Sequence, residues 1–252
     1  MTTYSYLLNT IKLKGAAYLI LIDPDKISGE KLARFTAYCT ASGADGFLVG
    51  GSLMISGDIE SCLNTIKNNT ELPAIIFPGD VNQVHKSADA ILFLSVISGR
   101  NPEHLIGKQV LAAPVIKKSG IEPLSTGYML IESGTTTTAQ YINGSLPIPS
   151  SKPEIAAATA LAGEYLGMKL IYLEAGSGAQ KSVPDEMVRA VTELCTVPVI
   201  VGGGIRMPAD ANSKVKNGAR IIVTGNFFEN ESNWSLIKEF SEAVHINLPV
   251  TI

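Results

Sequence analysis

The sequence is poor in cysteine and histidine and carries little net charge, and each shortage argues against a class of protein. Cys39, Cys62 and Cys195 are far apart and lack metal-ligand spacing, so we expect buried free thiols in a reducing cytoplasm. The three histidines follow no catalytic-triad pattern. The net charge of −3, with lysine and arginine scattered along the chain, argues against nucleic acid as a partner.

Long apolar runs are also missing. No run approaches the roughly 20 apolar residues that a membrane span requires. The apolar run after Lys14 is short and ends at Asp23-Pro24-Asp25, unlike a signal peptide. We therefore expect a soluble, cytoplasmic protein.

What the sequence does contain is an alternation of short apolar runs with amphipathic stretches, which is typical of a parallel sheet covered by helices. The predicted strands are 17–23, 46–51, 74–79, 90–96, 127–132, 169–174, 197–204 and 219–226. The predicted helices are 29–41, 58–67, 153–166, 184–195, 208–217 and 232–244. Eight strands in 252 residues favour an α/β fold of the (β/α)8 TIM-barrel type, as one domain spanning 1–252. An open doubly wound sheet is the alternative.

Two gaps between the predicted strands are irregular. Residues 80–89 are too few for a full helix, so we expect the third helix to be reduced or missing. Residues 133–151 are polar and rich in turn formers, and we interpret them as an excursion from the fifth strand.

The last two predicted strands, Val197–Gly204 and Ala219–Asn226, both stop at glycines that leave backbone N–H groups bare. In (β/α)8 barrels the phosphate site is frequently built by the loops after strands seven and eight. These runs therefore predict a phosphorylated ligand.

Polar residues stand at several other strand ends, where catalytic groups of a barrel are found. Asp23 after the first strand and Ser52 after the second suit Mg²⁺, which binds through one or two protein oxygens together with substrate phosphates. The alternative role for Asp23 and Asp25 is helix capping or loop turning. Glu174 ends an apolar strand, so burial should raise its pKa and make it a base. Its alternative role is a structural ion pair with Lys181 or Arg206.

Six runs of the chain resemble the geranylgeranylglyceryl phosphate synthase family, which includes heptaprenylglyceryl phosphate synthases. They are LIDPDK at 21–26, FLVGGS at 47–52, IIFPG at 75–79, PEIAAATALAGEYLGMKLIYLEAGSGA at 153–179, VGGGI at 201–205 and VTGN at 223–226. The resemblance covers nearly the whole chain in order, and YLEAGSG with VGGGI and VTGN is specific. It implies a (β/α)8 barrel whose third helix is often missing. It also implies Mg²⁺-dependent ether formation between a polyprenyl diphosphate and the 3-hydroxyl of sn-glycerol 1-phosphate, in phospholipid biosynthesis.

The same resemblance implies roles for individual residues. Asp23 and Ser52 would hold Mg²⁺, while Glu174 and Tyr172 would be catalytic. Glycerol 1-phosphate would be bound by Tyr172, Leu173, Glu174, Ala175, Gly176, Ser177, Gly178, Gly203, Gly204, Gly225 and Asn226. Some members carry lysine two positions before the metal aspartate, but Leu21 stands there in this chain, which places it in the second branch with geranylgeranyl diphosphate as the expected donor. We also expect a homo-oligomer and transient membrane contact for the lipid product.

Several assignments stay open at the level of sequence. The diphosphate has five candidate partners, Lys26, Arg100, Lys117, Lys118 and Arg206. The polyprenyl groove has four candidate aromatic residues, Phe77, Phe93, Tyr128 and Tyr165. The alternative functions are a sugar-phosphate isomerase of the histidine-pathway type that uses Asp23 with Glu132, and a catalytically silent phosphate-binding barrel.

Overall fold

A computed structural model of the chain describes residues 1–246, and within them eight parallel strands close into a barrel in the order β1 to β8. The strands are β1 (Ala17–Ile22), β2 (Gly46–Val49), β3 (Ala74–Ile76), β4 (Ala90–Val96), β5 (Glu122–Leu130), β6 (Leu170–Glu174), β7 (Val199–Gly202) and β8 (Ile221–Thr224). The helices are α1 (Thr3–Lys14), α2 (Gly29–Ala41), α3 (Ile59–Lys67), α4 (Lys108–Ser119), α5 (Thr138–Asn143), α6 (Pro153–Tyr165), α7 (Asp185–Leu194), α8 (Pro208–Lys216) and α9 (Ile237–Val244). The (β/α)8 prediction is confirmed, and the open-sheet alternative is wrong.

Apolar side chains fill two layers, one inside the barrel and one between the barrel and its helices. Because side chains alternate along a strand, neighbouring residues of β6 enter different layers: Tyr172 faces the interior and Leu173 faces the helices. The three cysteines are buried free thiols, as predicted. No helix within residues 1–246 combines the length and the apolar character that crossing a bilayer requires.

Helix α1 closes the lower end of the barrel, where the strands begin. The sequence prediction missed this helix. Its Leu7 and Ile11 are 1% exposed and pack among the interior side chains. The Glu122 carboxylate at the start of β5 accepts hydrogen bonds from the Thr3 amide, at 2.6 Å, and the Tyr4 amide. Polar residues share the buried face of α1, since Thr3 and Thr10 are buried beside Leu7 and Ile11, so its sequence shows little helical periodicity of apolar residues.

The gap between β3 and β4 contains a single 3₁₀ turn, Val81–Gln83. The prediction that the helix after the third strand is reduced or missing is therefore confirmed. Strand β5 differs from prediction, because it begins at Glu122 rather than at 127 and ends at Leu130. Pro123 and the polar residues beside it resemble a loop in sequence, yet they pair with β4 along its whole length. The predicted strand 90–96 coincides with β4. The remaining predicted strands extend one to three residues beyond the observed strands at one end or at both ends.

The 133–151 excursion contains α5, and the isolated bridge between Ile131 and Ile148 closes it. The last predicted helix, 232–244, is divided. A 3₁₀ segment, Glu231–Leu236, precedes α9. Trp234 in that segment is 7% exposed and donates its indole N–H to the Phe228 carbonyl, which favours the tighter turn.

A charged cluster at the lower end of the barrel ties α9 to the sheet. The Asp45 side chain is 2% exposed and accepts from Lys14 Nζ at 2.6 Å, His245 Nε2 at 2.7 Å and the Tyr18 amide at 2.8 Å. Ser241 Oγ lies 3.2 Å from His245 Nδ1, so the order of contacts matches a serine hydrolase triad. However, a methyl group on Gly43 would overlap the Ser241 hydroxyl, which leaves no room for a substrate. The cluster is therefore structural.

We expect Asp45→Ala to lower the free energy of unfolding by about 3 kcal/mol, because three hydrogen bonds to a buried carboxylate are lost. Burial raises the pKa of Asp45, but the hydrogen bonds from His245 and Lys14 outweigh it and hold that pKa below its ordinary value. Because the folded pKa is lowered, this stabilisation is complete above the pKa of the unfolded chain and is lost as pH falls through the folded pKa.

The measurement is thermal and urea unfolding, with a melting temperature lowered by roughly 5–10 °C. Glu154→Ala is the matched control, since its pair with Lys152 is solvent-exposed and should contribute little. Equal effects of the two substitutions would contradict a structural role for the Asp45 cluster.

Candidate active site

A cavity of about 630 Å³ opens at the carboxyl ends of the strands. Its wall brings together ten of the residues that the sequence predicts as site residues: Asp23, Ser52, Tyr172, Glu174, Ser177, Gly178, Gly203, Gly204, Gly225 and Asn226. Three predicted binding residues do not line the cavity: Leu173 and Ala175 pack in the layer between barrel and helices, and Gly176 lies buried behind its loop.

Glycine loops form one side of the cavity. Gly203 and Gly204 follow β7 with φ of 82° and 69°, a backbone conformation in which L side chains are strained. A Cβ on Gly203 would also overlap Glu174 Oε1. After β8 a short 3₁₀ helix, Asn226–Glu229, follows Gly225, and Gly225 and Asn226 at its N-terminal end line the same cavity. The glycine-ended runs thus meet at one wall of the cavity, which is where the sequence predicts a phosphate site; we call this group of loops the cup.

The loops after β6 and β8 are joined directly, although they are distant in sequence. Ser177 Oγ donates to Asn226 Oδ1 at 3.0 Å, which bridges the two loops across the cup. Both residues are exposed to the cavity. The bridge fixes the spacing between the two sets of amides.

Glu174 is the buried acid of the site, with 6% of the residue exposed. Burial raises its pKa to about 7, and the Gly176 amide, which donates to Oε1 at 2.6 Å, partly offsets that rise. The alternative ion pair does not form: within residues 1–246 neither Lys181 nor Arg206 pairs with Glu174, and Arg206 Nη2 donates to the Ala179 carbonyl instead. A buried carboxylate with a pKa near neutrality has the properties of a general base.

Three aromatic rings lie beside Glu174 inside the barrel. Phe77 stacks on Tyr172 with ring centroids 5.3 Å apart, and Tyr128 meets Tyr172 edge-on at 5.5 Å. The Tyr172 hydroxyl lies near the Glu174 carboxylate but has no partner with regular hydrogen-bond geometry in the described part of the chain. A buried unpaired hydroxyl is costly, so it is a candidate to receive a polar ligand.

Asp23 and Ser52 stand on the opposite side of the cavity. Asp23 is half-buried, and burial raises its pKa. A Cβ on Gly51 would lie 3.4 Å from Asp23 Oδ1, so the β2 loop packs against the carboxylate. Carboxylate and hydroxyl oxygens are hard ligands that suit Mg²⁺. Residues 1–246 hold no group of three histidine, cysteine, aspartate or glutamate side chains placed to bind a metal.

Asp25 has a different role from Asp23. Its carboxylate accepts from the amides of Ile55, Ser56 and Gly57 and from the Ser56 hydroxyl. These hydrogen bonds, that from Ile55 above all, hold the pKa of Asp25 below its ordinary value. Asp25 therefore fixes the rim loop after β2, as its loop-forming alternative anticipated.

Basic residues line the cavity at three positions: Lys26, Lys108 and Arg206. Of the five sequence candidates, Arg100 donates to its own loop carbonyls, and Lys117 and Lys118 lie in the last turn of α4, away from the cavity wall. Lys108 was missed, because nothing in the sequence distinguishes it from other scattered lysines. Glu229 was also missed; burial raises its pKa, and the negative charge of Asp23 adds to that rise.

The remaining wall is an apolar arm that includes the short segment between β3 and β4. It is lined by Val81, Val84, Ile91, Phe93, Ala112 and Ile116. Phe77, Phe93 and Tyr128 line the cavity as the sequence suggested, whereas Tyr165 is 80% exposed on α6 and does not. The cavity thus combines an anion cup with an apolar channel.

Glu132 lies outside the site. The residue is exposed, its amide donates to the Ile148 carbonyl, and its carboxylate accepts from Ser150. Strand β5 ends at Leu130, two residues before Glu132. Glu132 therefore lies where the excursion begins and not at the mouth of the barrel. The acid–base pair of Asp23 and Glu132 that an isomerase would use does not form.

Comparison with known proteins agrees with this geometry. The profile of the PcrB family matches residues 9–244. A geranylgeranylglyceryl phosphate synthase from Chitinophaga pinensis is 49% identical over 95% of this chain and 94% of its own length. One from Pyrococcus horikoshii is 43% identical over 92% and 91%. The crystal structure of (S)-3-O-geranylgeranylglyceryl phosphate synthase from Thermoplasma acidophilum, in complex with substrate sn-glycerol-1-phosphate, superposes with a TM-score of 0.90 at 33% identity, over 97% and 99% of the two chains.

Proposed function

Because this chain belongs to the PcrB family, we propose that it joins a polyprenyl diphosphate to the 3-hydroxyl of sn-glycerol 1-phosphate and releases diphosphate. The chain is a prenyltransferase, like its relatives at 43% and 49% identity, and its resemblance to the geranylgeranylglyceryl phosphate synthases is confirmed. The expected donor is geranylgeranyl diphosphate. The observation that carries the proposal is the placement of one buried carboxylate, Glu174, between an anion cup and an apolar arm.

Each part of the cavity matches one part of the substrates. The glycine loops and the N-terminus of the 3₁₀ helix after β8 offer amides to the phosphate of the acceptor. The apolar arm has the chemistry to hold a polyprenyl chain. Lys26 and Arg206 are candidate cations for the diphosphate, as is Lys108, whose Nζ pairs with Asp80 Oδ2 at 3.1 Å.

Glu174 acts as the base in the proposed mechanism. With the acceptor phosphate in the cup, the 3-hydroxyl meets the Glu174 carboxylate, which takes its proton. The hydroxyl oxygen bonds to C1 of the prenyl group, and the bond between C1 and the diphosphate oxygen breaks. The electron pair of that bond leaves with the diphosphate, and the proton stays on Glu174 until it passes to water. Tyr172, whose hydroxyl is unpaired, orients the acceptor.

Asp23 and Ser52 are the residues that would hold Mg²⁺, whose chemistry is to neutralise the charge of the leaving diphosphate. Their oxygen donors fit this ion, and the half-buried Asp23 carboxylate, whose pKa is raised by burial, would be favoured in its charged form by a nearby cation.

The environment of the enzyme forms part of the proposal. We place it in the cytoplasm, where free buried thiols persist, with transient membrane contact for its lipid product. We also propose a homo-oligomer, because α4 exposes Val110, Leu111 and Val115 by 62%, 64% and 45%. Light scattering of the purified protein measures the oligomeric state.

The test of function is prenyl transfer with Mg²⁺, geranylgeranyl diphosphate and each glycerol phosphate enantiomer separately, with the lipid-soluble product identified by mass. We expect ether product from the sn-1 enantiomer alone. A lack of product from both enantiomers, with phosphate binding intact, would contradict the proposal and favour a silent phosphate-binding barrel.

A pH profile follows from the environment of Glu174. Because the protonated carboxyl cannot accept a proton, kcat/KM should fall about tenfold per pH unit below about pH 7, where the pKa of Glu174 lies. The measurement is kcat/KM between about pH 5 and pH 9. The acceptor phosphate itself titrates near pH 6, so the profile of Glu174→Gln is the control. A limb that persists unchanged in that variant belongs to the substrate and would contradict the assignment.

A further inference from the structure

The segment after β5 packs directly on the loop that follows β6, through Thr137 and Gly176. Thr137 is 5% exposed and Gly176 is buried. A Cβ built on Gly176 would overlap the Thr137 side chain, and its nearest atom would be the methyl carbon Cγ2. The Thr137 side chain therefore occupies the space that a side chain at position 176 would need.

The orientation of the Thr137 side chain is fixed by its own helix. Thr137 caps α5: Oγ1 accepts from the Gln140 amide at 3.4 Å, and the Gln140 side chain accepts from the Thr137 amide at 3.3 Å. This reciprocal capping box turns the hydroxyl toward α5. The methyl group is left facing Gly176.

Gly176 in turn holds the carboxylate of Glu174. Its φ of 100° places the residue in a conformation that favours glycine, and its N–H donates to Glu174 Oε1 at 2.6 Å. Its carbonyl accepts from the Ala179 amide at 3.1 Å. A rotation of the peptide between Ala175 and Gly176 would turn the Gly176 N–H away from the Glu174 carboxylate.

A second set of contacts makes the segment and the loop one unit. The Lys181 amide donates to the Ser133 carbonyl at 3.3 Å, and a Cβ on Gly134 would meet Gln180 Oε1 at 3.2 Å. On its other side, α5 borders the cavity through Thr138, Ala139 and Ile142. Thr137 thus lies between the cavity wall and the loop that holds Glu174.

We propose that Thr137 is a positioning residue for Glu174: its methyl group braces Gly176 so that the Gly176 amide stays directed at Glu174 Oε1. The catalytic consequence rests on the proposed function, in which Glu174 is the base, whereas the geometric consequence does not. A hydrogen bond to the charged carboxylate favours ionisation. The brace therefore keeps more of the base in its active form near neutral pH.

Within the described part of the chain, the other titratable groups that face Glu174 all lie in the barrel interior. They are Tyr172, on the same strand, and Tyr128, on β5. Burial raises the pKa of both tyrosines well above the ordinary value, so they stay neutral across the range in which Glu174 titrates. A change in the Glu174 pKa on substitution at Thr137 would thus report on the Gly176 amide.

The test uses three variants of the full chain. Thr137→Ser removes the methyl group and keeps the capping hydroxyl. Thr137→Val keeps a methyl group toward Gly176 and removes the cap. Gln140→Ala weakens the cap without touching Gly176. The readouts are the pKa of Glu174 from ¹³C-carboxyl NMR of glutamate-labelled protein, assigned by the signal missing in Glu174→Gln, and the pH profile of kcat/KM.

In Thr137→Ser we expect the Glu174 pKa to rise by about half a unit to one unit, as the amide hydrogen bond weakens. On the acid side of the pH profile, kcat/KM of this variant should be on the order of threefold to tenfold below that of the unmodified enzyme. At high pH the two enzymes should have similar values. Thr137→Val and Gln140→Ala should keep the original pKa but melt roughly 2–4 °C lower, because a helix cap is lost.

An unchanged Glu174 pKa in Thr137→Ser would overturn the proposal, as would an equal shift in Gln140→Ala, which would assign the effect to α5 as a whole. Failure of the proposed function gives a different result: Glu174→Gln would keep its turnover, while the NMR titration would still show whether Thr137 sets the environment of the carboxylate.

Discussion

Glu174→Gln is expected to lower kcat by about two orders of magnitude or more, with the affinity for glycerol phosphate nearly unchanged. The glutamine amide cannot take the proton of the acceptor hydroxyl. Its carbonyl oxygen can still accept from the Gly176 amide, so the glycine loops should keep their shape. The phosphate cup and the base are thus separable by one substitution.

The stability of this variant provides an internal check. Burial raises the folded pKa of Glu174 to about 7, so ionisation of the carboxyl costs stability as pH rises from the pKa of the unfolded chain through that value. Glu174→Gln removes this cost and should melt at the same temperature or higher near neutral pH. A loss of activity accompanied by a lower melting temperature would indicate misfolding instead.

The matched control is Glu132→Gln, an exposed carboxylate beyond the end of β5 whose partner is Ser150. It should retain nearly full activity. The measurements are single-turnover rates of ether formation and calorimetric titration with sn-glycerol 1-phosphate. Equal losses of turnover and affinity in Glu174→Gln would contradict its role as base.

Asp23→Asn is expected to reduce turnover by roughly three orders of magnitude and to remove the response of the residual rate to Mg²⁺. An asparagine oxygen carries no net charge, so the affinity for a divalent cation at this position should fall sharply. Because Asp23 and Glu174 lie on different parts of the cavity wall, glycerol phosphate should still bind.

Metal binding can be measured apart from activity, by titrating Mn²⁺ into the enzyme with inorganic diphosphate present and following its electron paramagnetic resonance. Asp58→Asn is the matched control, since Asp58 caps α3 near the same rim loop and asparagine is an equally good cap. A variant at Asp23 that Mg²⁺ still stimulates fully would show that the metal is held elsewhere.

Much of the fold and of the site was accessible from sequence. The glycines that end the runs of β7 and β8 do meet at one cavity wall, although their binding of an anion stays a prediction. The short gap after β3 correctly indicated a reduced helix there. The errors have specific causes. Pro123 concealed the first half of β5. Helix α1 was missed because polar residues, Thr3 and Thr10, share its buried face with Leu7 and Ile11.

Other parts of the site were not accessible, because they depend on contacts between distant segments. Lys108 and Glu229 have no distinguishing neighbours in sequence and reach the cavity only through folding. Thr137 is one of four consecutive threonines, and nothing local separates it from the other three. Its burial against Gly176 is a property of two loops that meet.

The sequence by itself determined the order of the eight strands, the glycine loops and the types of residue at the strand ends, because these follow from local periodicity and backbone preference. Only the tertiary structure decided which of those residues share a cavity. Closure of the barrel turned Tyr172 and Glu174 inward and Leu173 outward, since alternate side chains of a strand face opposite sides. The same closure left Glu132 in solvent and brought the Ser177 hydroxyl onto Asn226, because the path of each loop is set by what it packs against.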